Sequence, residues 1–81
     1  MELIINCMFC QTKKELLQIF QQNFDEMHSL NYDALIDVLT SVSEPLTIEI
    51  QNKNHFEDYP AFKETLSIVE QENPNVKVIW K

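Results

Sequence analysis

Glycine is absent from the 81 residues of the chain, and its absence excludes several kinds of binding site. Phosphate-binding loops and dinucleotide-binding turns need glycine at fixed positions, because a Cβ atom would block a positive φ angle or the close approach of a phosphate. Long apolar runs are also missing, and none approaches the roughly 20 residues that span a bilayer. The first residues lack the basic segment of a signal peptide. We therefore expect neither a nucleotide-binding fold nor a membrane protein.

Basic residues are scarce. Lysine and arginine together number 6 against 13 aspartates and glutamates, so the formal net charge is −7. Most of the carboxylates lie within residues 25–72. An acidic surface repels nucleic-acid phosphates and anionic membranes, whereas it attracts basic proteins. The expected partner is therefore a basic protein, with no nucleic acid and no membrane.

Only two cysteines are present, Cys7 and Cys10. They lie too close in sequence to join distant parts of a fold, and such a pair fits a reducing, cytoplasmic compartment. Their Cys-x-x-Cys spacing between a predicted strand and helix also resembles that of glutaredoxin-type oxidoreductases, in which the first thiol has a lowered pKa. A small thiol-disulfide oxidoreductase is therefore the main alternative function. The cysteines with His28 and His55 match no zinc-binding spacing, so no metal or cofactor is expected.

The apolar pattern predicts strands separated by helices within a single domain, residues 1–81. The predicted order is a strand at 3–5, helices at 13–23 and from 31 to about 41, a strand at 46–50, a loop or short helix at 52–59, a helix from 60 to about 73, and a strand at 76–79. Thr12 and Glu15 match a capping box, and Asn31 is a favourable helix cap. Strands joined through helices run parallel. The fold class is α/β, with a three-stranded parallel sheet and three to four helices.

The predicted second helix carries two carboxylates one turn apart, Asp33 and Asp37. Its apolar residues follow helical spacing and leave Asp33, Ile36, Asp37 and Thr40 on the opposite side. Like charges at this spacing slightly destabilise a helix, so a function outside the helix can explain them. An apolar residue between two charges, here Ile36, is typical of a protein interface, because it excludes water around them. This side of the helix is the predicted binding surface.

The segment Asn31–Thr40 reads N-Y-D-A-L-I-D-V-L-T and resembles the second-helix motif of the barstar family, N-L-D-A-L-W-D-x-L. The rest of the chain agrees with the family mainly in the order and spacing of its elements. The resemblance implies a barstar-like fold and an intracellular, non-enzymatic inhibitor of a barnase-type ribonuclease. That inhibitor would be monomeric when free and would form a 1:1 complex. Asp37 would mimic a substrate phosphate, Asp33 would contact the guanine-site region, and Asn31 would cap the helix.

The loop before this helix departs from the family pattern. Residues 25–30 are about two residues shorter and lack the family's tyrosine pair and glycine, and Ile36 stands where the family has an aromatic residue. These departures favour a diverged ribonuclease or another toxin domain as the target, with this chain as its immunity protein or antitoxin. Glu70 or Glu72 is a candidate for a second acidic contact. The predicted enzyme-binding set is Met27, His28, Asn31, Tyr32, Asp33, Ile36, Asp37 and Thr40.

Overall fold

Three parallel strands form the sheet, as a computed structural model covering all 81 residues shows. They are β1 (Glu2–Asn6), β2 (Leu46–Gln51) and β3 (Val76–Trp80), arranged in the order β1-β2-β3. Leu3 pairs with Ile48, which in turn pairs with Val78. The predicted parallel sheet is confirmed. The nearly continuous apolar character of β3 indicates a central or a parallel strand; β3 is parallel and lies at an edge, and β2 is central.

Three α-helices complete the fold: α1 (Lys13–Asn23), α2 (Tyr32–Thr40) and α3 (Tyr59–Glu72). The segment predicted as a loop or short helix contains one 3-10 turn, Lys53–His55. The architecture is α/β, with a three-stranded parallel sheet and three α-helices, as predicted. None of the helices combines the length and the apolar composition that crossing a bilayer requires.

The two predicted helix starts lie where the caps place them. The hydroxyl of Thr12 accepts from the amide of Glu15, whose carboxylate in turn accepts from the Thr12 amide, so the capping box is complete. At the start of α2, the side-chain oxygen of Asn31 accepts from the amide of Ala34 at 2.7 Å. Such caps satisfy amides that have no partner within the helix, and each typically contributes about 1 kcal/mol.

The core lies between one face of the sheet and the helices. In β2, the alternating residues Leu46, Ile48 and Ile50 are buried, as the period of a strand requires. Phe62 of α3 is the centre of an aromatic cluster and is almost fully buried. The ring centroid of Phe62 lies within 6.3 Å of the ring centroids of four other residues: Phe20, Tyr32, Phe56 and Trp80. Full burial of a side chain of this size contributes about 1.5–3 kcal/mol, so this cluster fixes how α3 packs on the sheet.

Candidate functional site

Helix α2 exposes only two of its nine residues, and both are aspartates. Asp33 lies in its first turn and Asp37 lies one turn later. The other seven residues are buried or half-buried, since Leu35 and Leu39 belong to the core and their neighbours pack around it. We call the exposed side of α2, with Asp33 and Asp37, the acidic face.

The carboxylates of the acidic face have no partner within the protein. Neither Asp33 nor Asp37 forms a side-chain hydrogen bond, and the one ion pair of the structure joins Lys81 to Glu49, far along the chain. The last turn of α2 contains no basic residue. Asp37 lies in that turn, where the negative end of the helix dipole disfavours another negative charge. The acidic face is thus an uncompensated negative surface.

Ile36 and Thr40 differ from the sequence prediction, which placed them on the outer side of the helix with the aspartates. Both are half-buried, and Ile36 packs against the core cluster. The Thr40 hydroxyl donates to the Ile36 carbonyl at 2.7 Å, so it is used within the helix. They are less exposed than the prediction implies because α2 packs over more of its circumference than its strongest apolar stripe indicates, and contact of either residue with an enzyme stays a prediction. Ile36 can offer a partner only part of its side chain.

The loop before α2 contains two further residues that were predicted to contact the enzyme, and they differ in exposure. Met27 is only 2% exposed and belongs to the core, so its side chain does not lie on a contact surface. Its carbonyl accepts from the side-chain amide of Gln21 at 3.0 Å, which fixes the loop against α1. His28, the next residue, is exposed. The buried position of Met27 therefore contradicts the prediction that its side chain contacts the enzyme. His28, which is exposed, remains available to a partner.

Asn31 and Tyr32 form the start of α2. Asn31 is exposed and uses its side chain as the helix cap. Tyr32 is half-buried, and its hydroxyl donates to Asp58 Oδ2 at 2.8 Å. Burial raises the pKa of the Tyr32 hydroxyl, and the hydrogen bond to Asp58 acts in the same direction. Tyr32 therefore points toward the start of α3 and remains protonated.

A cleft of about 480 Å³ opens beside Asp37, at the C-terminal end of α2. Its remaining lining residues are Phe24, Glu26, Val38, Ser41, Val42 and Ser43. The lining contains two carboxylates, an apolar wall and no basic residue. Sequence reasoning missed Phe24, Glu26 and Ser43, because only the folded loop brings them next to α2.

The two candidate acids near the end of α3 have different environments. Glu70 accepts a hydrogen bond from the backbone amide of Val78 at 2.9 Å, and it thereby covers the outer edge of β3. Unpaired edge groups of a sheet favour association with other strands, so this contact protects the edge. Glu72 is exposed, and its side chain makes no hydrogen bond. Of the two, Glu72 is the one with a free carboxylate.

The cysteines do not have the arrangement of a redox site. Both are buried, and α1 begins three residues after Cys10, so neither thiol lies at the helix N-terminus. Burial raises the pKa of Cys7, and it raises that of Cys10 to about 12, with the neighbouring Cys7 thiol adding to the effect. The Cys10 thiol donates to the Asn6 carbonyl at 3.3 Å. Reactive cysteines need a lowered pKa and exposure, so the structure does not favour the oxidoreductase alternative.

Comparison with protein families identifies the chain. The family model described as Barstar (barnase inhibitor) matches residues 1–78. The chain belongs to the barstar family. Members of the barstar family are inhibitors rather than enzymes, and membership supports a general role in inhibiting a ribonuclease of the barnase type. No individual curated protein matches the chain significantly.

Proposed function

We propose that this barstar-family protein blocks the active site of a basic ribonuclease with the acidic face of α2. The observation that carries the proposal is that Asp33 and Asp37 are the only exposed residues of α2 and have no partner within the protein. Their mutual repulsion, and the position of Asp37 at the negative end of the helix, both oppose folding. A basic partner removes this cost, because its cations compensate both charges.

The active site of a ribonuclease must bind phosphates, so it presents basic side chains. Carboxylates held at fixed positions can replace the phosphates, and hydrogen bonds between charged groups are stronger than those between neutral ones. Asp37, which lies beside the cleft, is the proposed central phosphate mimic, and Asp33 is its neighbour. His28 and the exposed part of Ile36 would complete the contact. Association of a chain with net charge −7 and a basic enzyme should be fast and sensitive to salt.

The cleft beside Asp37 suits a basic side chain of the enzyme. Glu26 and Asp37 would balance its charge, while Phe24 and Val42 would pack along its apolar stem. An aromatic ring also attracts a cation placed over its face. The proposed complex is 1:1 with a monomeric inhibitor that uses neither metal nor cofactor. It would act in the cytoplasm, where free thiols stay reduced.

The decisive experiment measures RNA cleavage by barnase, and by the product of the neighbouring gene, with increasing amounts of inhibitor. The variants Asp33→Asn and Asp37→Asn remove a charge without changing the shape of the side chain. Glu64→Gln on the exposed side of α3 is the matched control, because it removes the same charge elsewhere. We expect Asp37→Asn to weaken inhibition most, Asp33→Asn less, and Glu64→Gln very little. Equal inhibition by all three variants would show that the acidic face is not the contact surface, and no inhibition of either enzyme by the unmodified chain would contradict the proposed function as a whole.

A further inference from the structure

The first residue of α2 is joined to the start of α3 by a hydrogen bond between side chains. The Tyr32 hydroxyl donates to Asp58 Oδ2 at 2.8 Å, across 26 residues of sequence. Asp58 is the residue from which α3 begins. The bond therefore fixes the start of one helix against the start of another, and Asp33 directly follows the residue that is held.

Asp58 makes this bond instead of capping its own helix. Aspartate at the cap position ordinarily accepts from a backbone amide of the first turn, which stabilises the helix. In α3 no such side-chain bond is present, and the backbone of Asp58, with φ −116° and ψ 36°, is not in the extended conformation usual for a cap. The Asp58 carboxylate is thus hydrogen-bonded to the first residue of α2 and not to the backbone of α3.

Two more contacts hold the Tyr32 ring. The Lys13 ammonium lies over the ring, 4.4 Å from its centroid, and Lys13 is the first residue of α1. The ring also stacks near Phe62, with 6.3 Å between centroids and 26° between planes. The starts of all three helices therefore meet at Tyr32, which leaves it little freedom to rotate.

We infer that Tyr32 is a positioning residue, which acts through Asp58 to fix the first turn of α2 and, with it, the direction of Asp33. This inference rests on the proposed function of the acidic face and gives Tyr32 a different role from direct contact. Neighbouring residues of a helix point about 100° apart, so fixing Tyr32 inward fixes Asp33 outward. A charged side chain that is already held in its bound direction loses less conformational entropy on binding, so the complex is tighter.

The first test needs no partner. Tyr32→Phe removes the hydroxyl and keeps the ring, and Tyr59→Phe is the matched control. Tyr59 also has a lysine over its ring, but its hydroxyl forms no hydrogen bond within the protein. Amide hydrogen exchange is followed at two backbone amides. The Leu35 amide donates to the Asn31 carbonyl in the first turn of α2, and the Leu16 amide donates to the Thr12 carbonyl in the first turn of α1.

In Tyr32→Phe we expect exchange at Leu35 to rise about fivefold relative to Leu16, because one hydrogen bond that holds this turn is lost. In Tyr59→Phe the ratio should not change. A common rise at both amides would mean only that the whole protein is less stable, and it would overturn the inference, as would an unchanged ratio in Tyr32→Phe.

The second test uses barnase as the binding probe. Tyr32→Phe should raise the Kd about fivefold in the unmodified background but not in an Asp33→Asn background. A positioning residue has no effect on binding once the group that it positions is changed. An equal effect in both backgrounds, or no effect on Kd in either, would overturn the inference while the proposed function stands. If the unmodified chain does not bind barnase, the proposed function fails for that enzyme, and the exchange ratio alone decides the role of Tyr32.

Discussion

The side-chain amide of Asn73 donates to the carbonyl of Leu39 at 2.9 Å, and so ties the end of α3 to the end of α2. The same amide reaches the carbonyls of Thr40, at 3.3 Å, and Val42, at 2.9 Å. Asn73 is 4% exposed. The last carbonyls of a helix lack their regular amide partners, and the Asn73 amide adds its hydrogen bonds to those that the Ser41 and Val42 amides donate to Leu39. With Tyr32 and Asp58 at the opposite end, α2 is held by α3 at both of its ends.

Replacing Asn73 should therefore destabilise the protein more than replacing an exposed asparagine. We expect Asn73→Ala to lower the free energy of unfolding by about 1–3 kcal/mol, because it removes the hydrogen bonds that this buried amide donates to the end of α2. Asn54→Ala is the control, since Asn54 is exposed and makes no side-chain hydrogen bond. Urea unfolding followed by circular dichroism measures both. A similar, small loss in the two variants would show that water replaces the Asn73 amide without cost.

These contacts also show where sequence reasoning reached its limit. The caps at Thr12 and Asn31 bond to residues three positions away, so local sequence predicts them, and the alternation of β2 shows its buried face directly. Tyr32, Asp58 and Asn73 bond across more than 25 residues. Local sequence places Asn73 only at the end of the predicted third helix, because nothing local indicates that its side chain reaches α2. For the same reason, the prediction placed Met27 on the surface and missed the cleft beside Asp37.

Asp37 should have opposite effects on stability and on binding. Asp37→Asn removes repulsion from Asp33 and an unfavourable interaction with the end of α2, so the free energy of unfolding should rise by about 0.2–0.5 kcal/mol. On the proposed function, the same change should weaken binding to the ribonuclease by about 2 kcal/mol or more, as expected for a central contact. Thermal unfolding and isothermal titration calorimetry measure the two effects. A variant that is both less stable and weaker in binding would indicate that Asp37 supports the fold instead.

The buried thiols should be unreactive in the folded protein. Since burial raises the pKa of Cys7, and that of Cys10 to about 12, very little of either is thiolate near neutral pH. We expect slow alkylation by iodoacetamide in buffer and rapid alkylation in 8 M urea, measured by mass spectrometry of the intact chain. The double variant Cys7→Ala with Cys10→Ala should retain inhibition of the ribonuclease. Loss of inhibition in a variant that remains folded would revive a role for the cysteine pair.

Glu49 should contribute to the dependence of stability on pH. The Gln51 side chain donates to the Glu49 carboxylate at 2.7 Å and lowers its pKa below the ordinary value of 4.5, and Lys81 acts in the same direction. A carboxyl group with a lower pKa in the folded state stabilises the protein above its unfolded pKa, and it loses this contribution as the pH falls through the folded value. The free energy of unfolding should thus fall more steeply below pH 4.5 in the unmodified chain than in Glu49→Gln.

Glu44→Gln is the matched control, because Glu44 is exposed and forms no hydrogen bond or ion pair, and its pH profile should follow that of the unmodified chain. If Glu49→Gln and Glu44→Gln give the same profile, the contacts of Glu49 with Gln51 and Lys81 do not stabilise its charged form in solution.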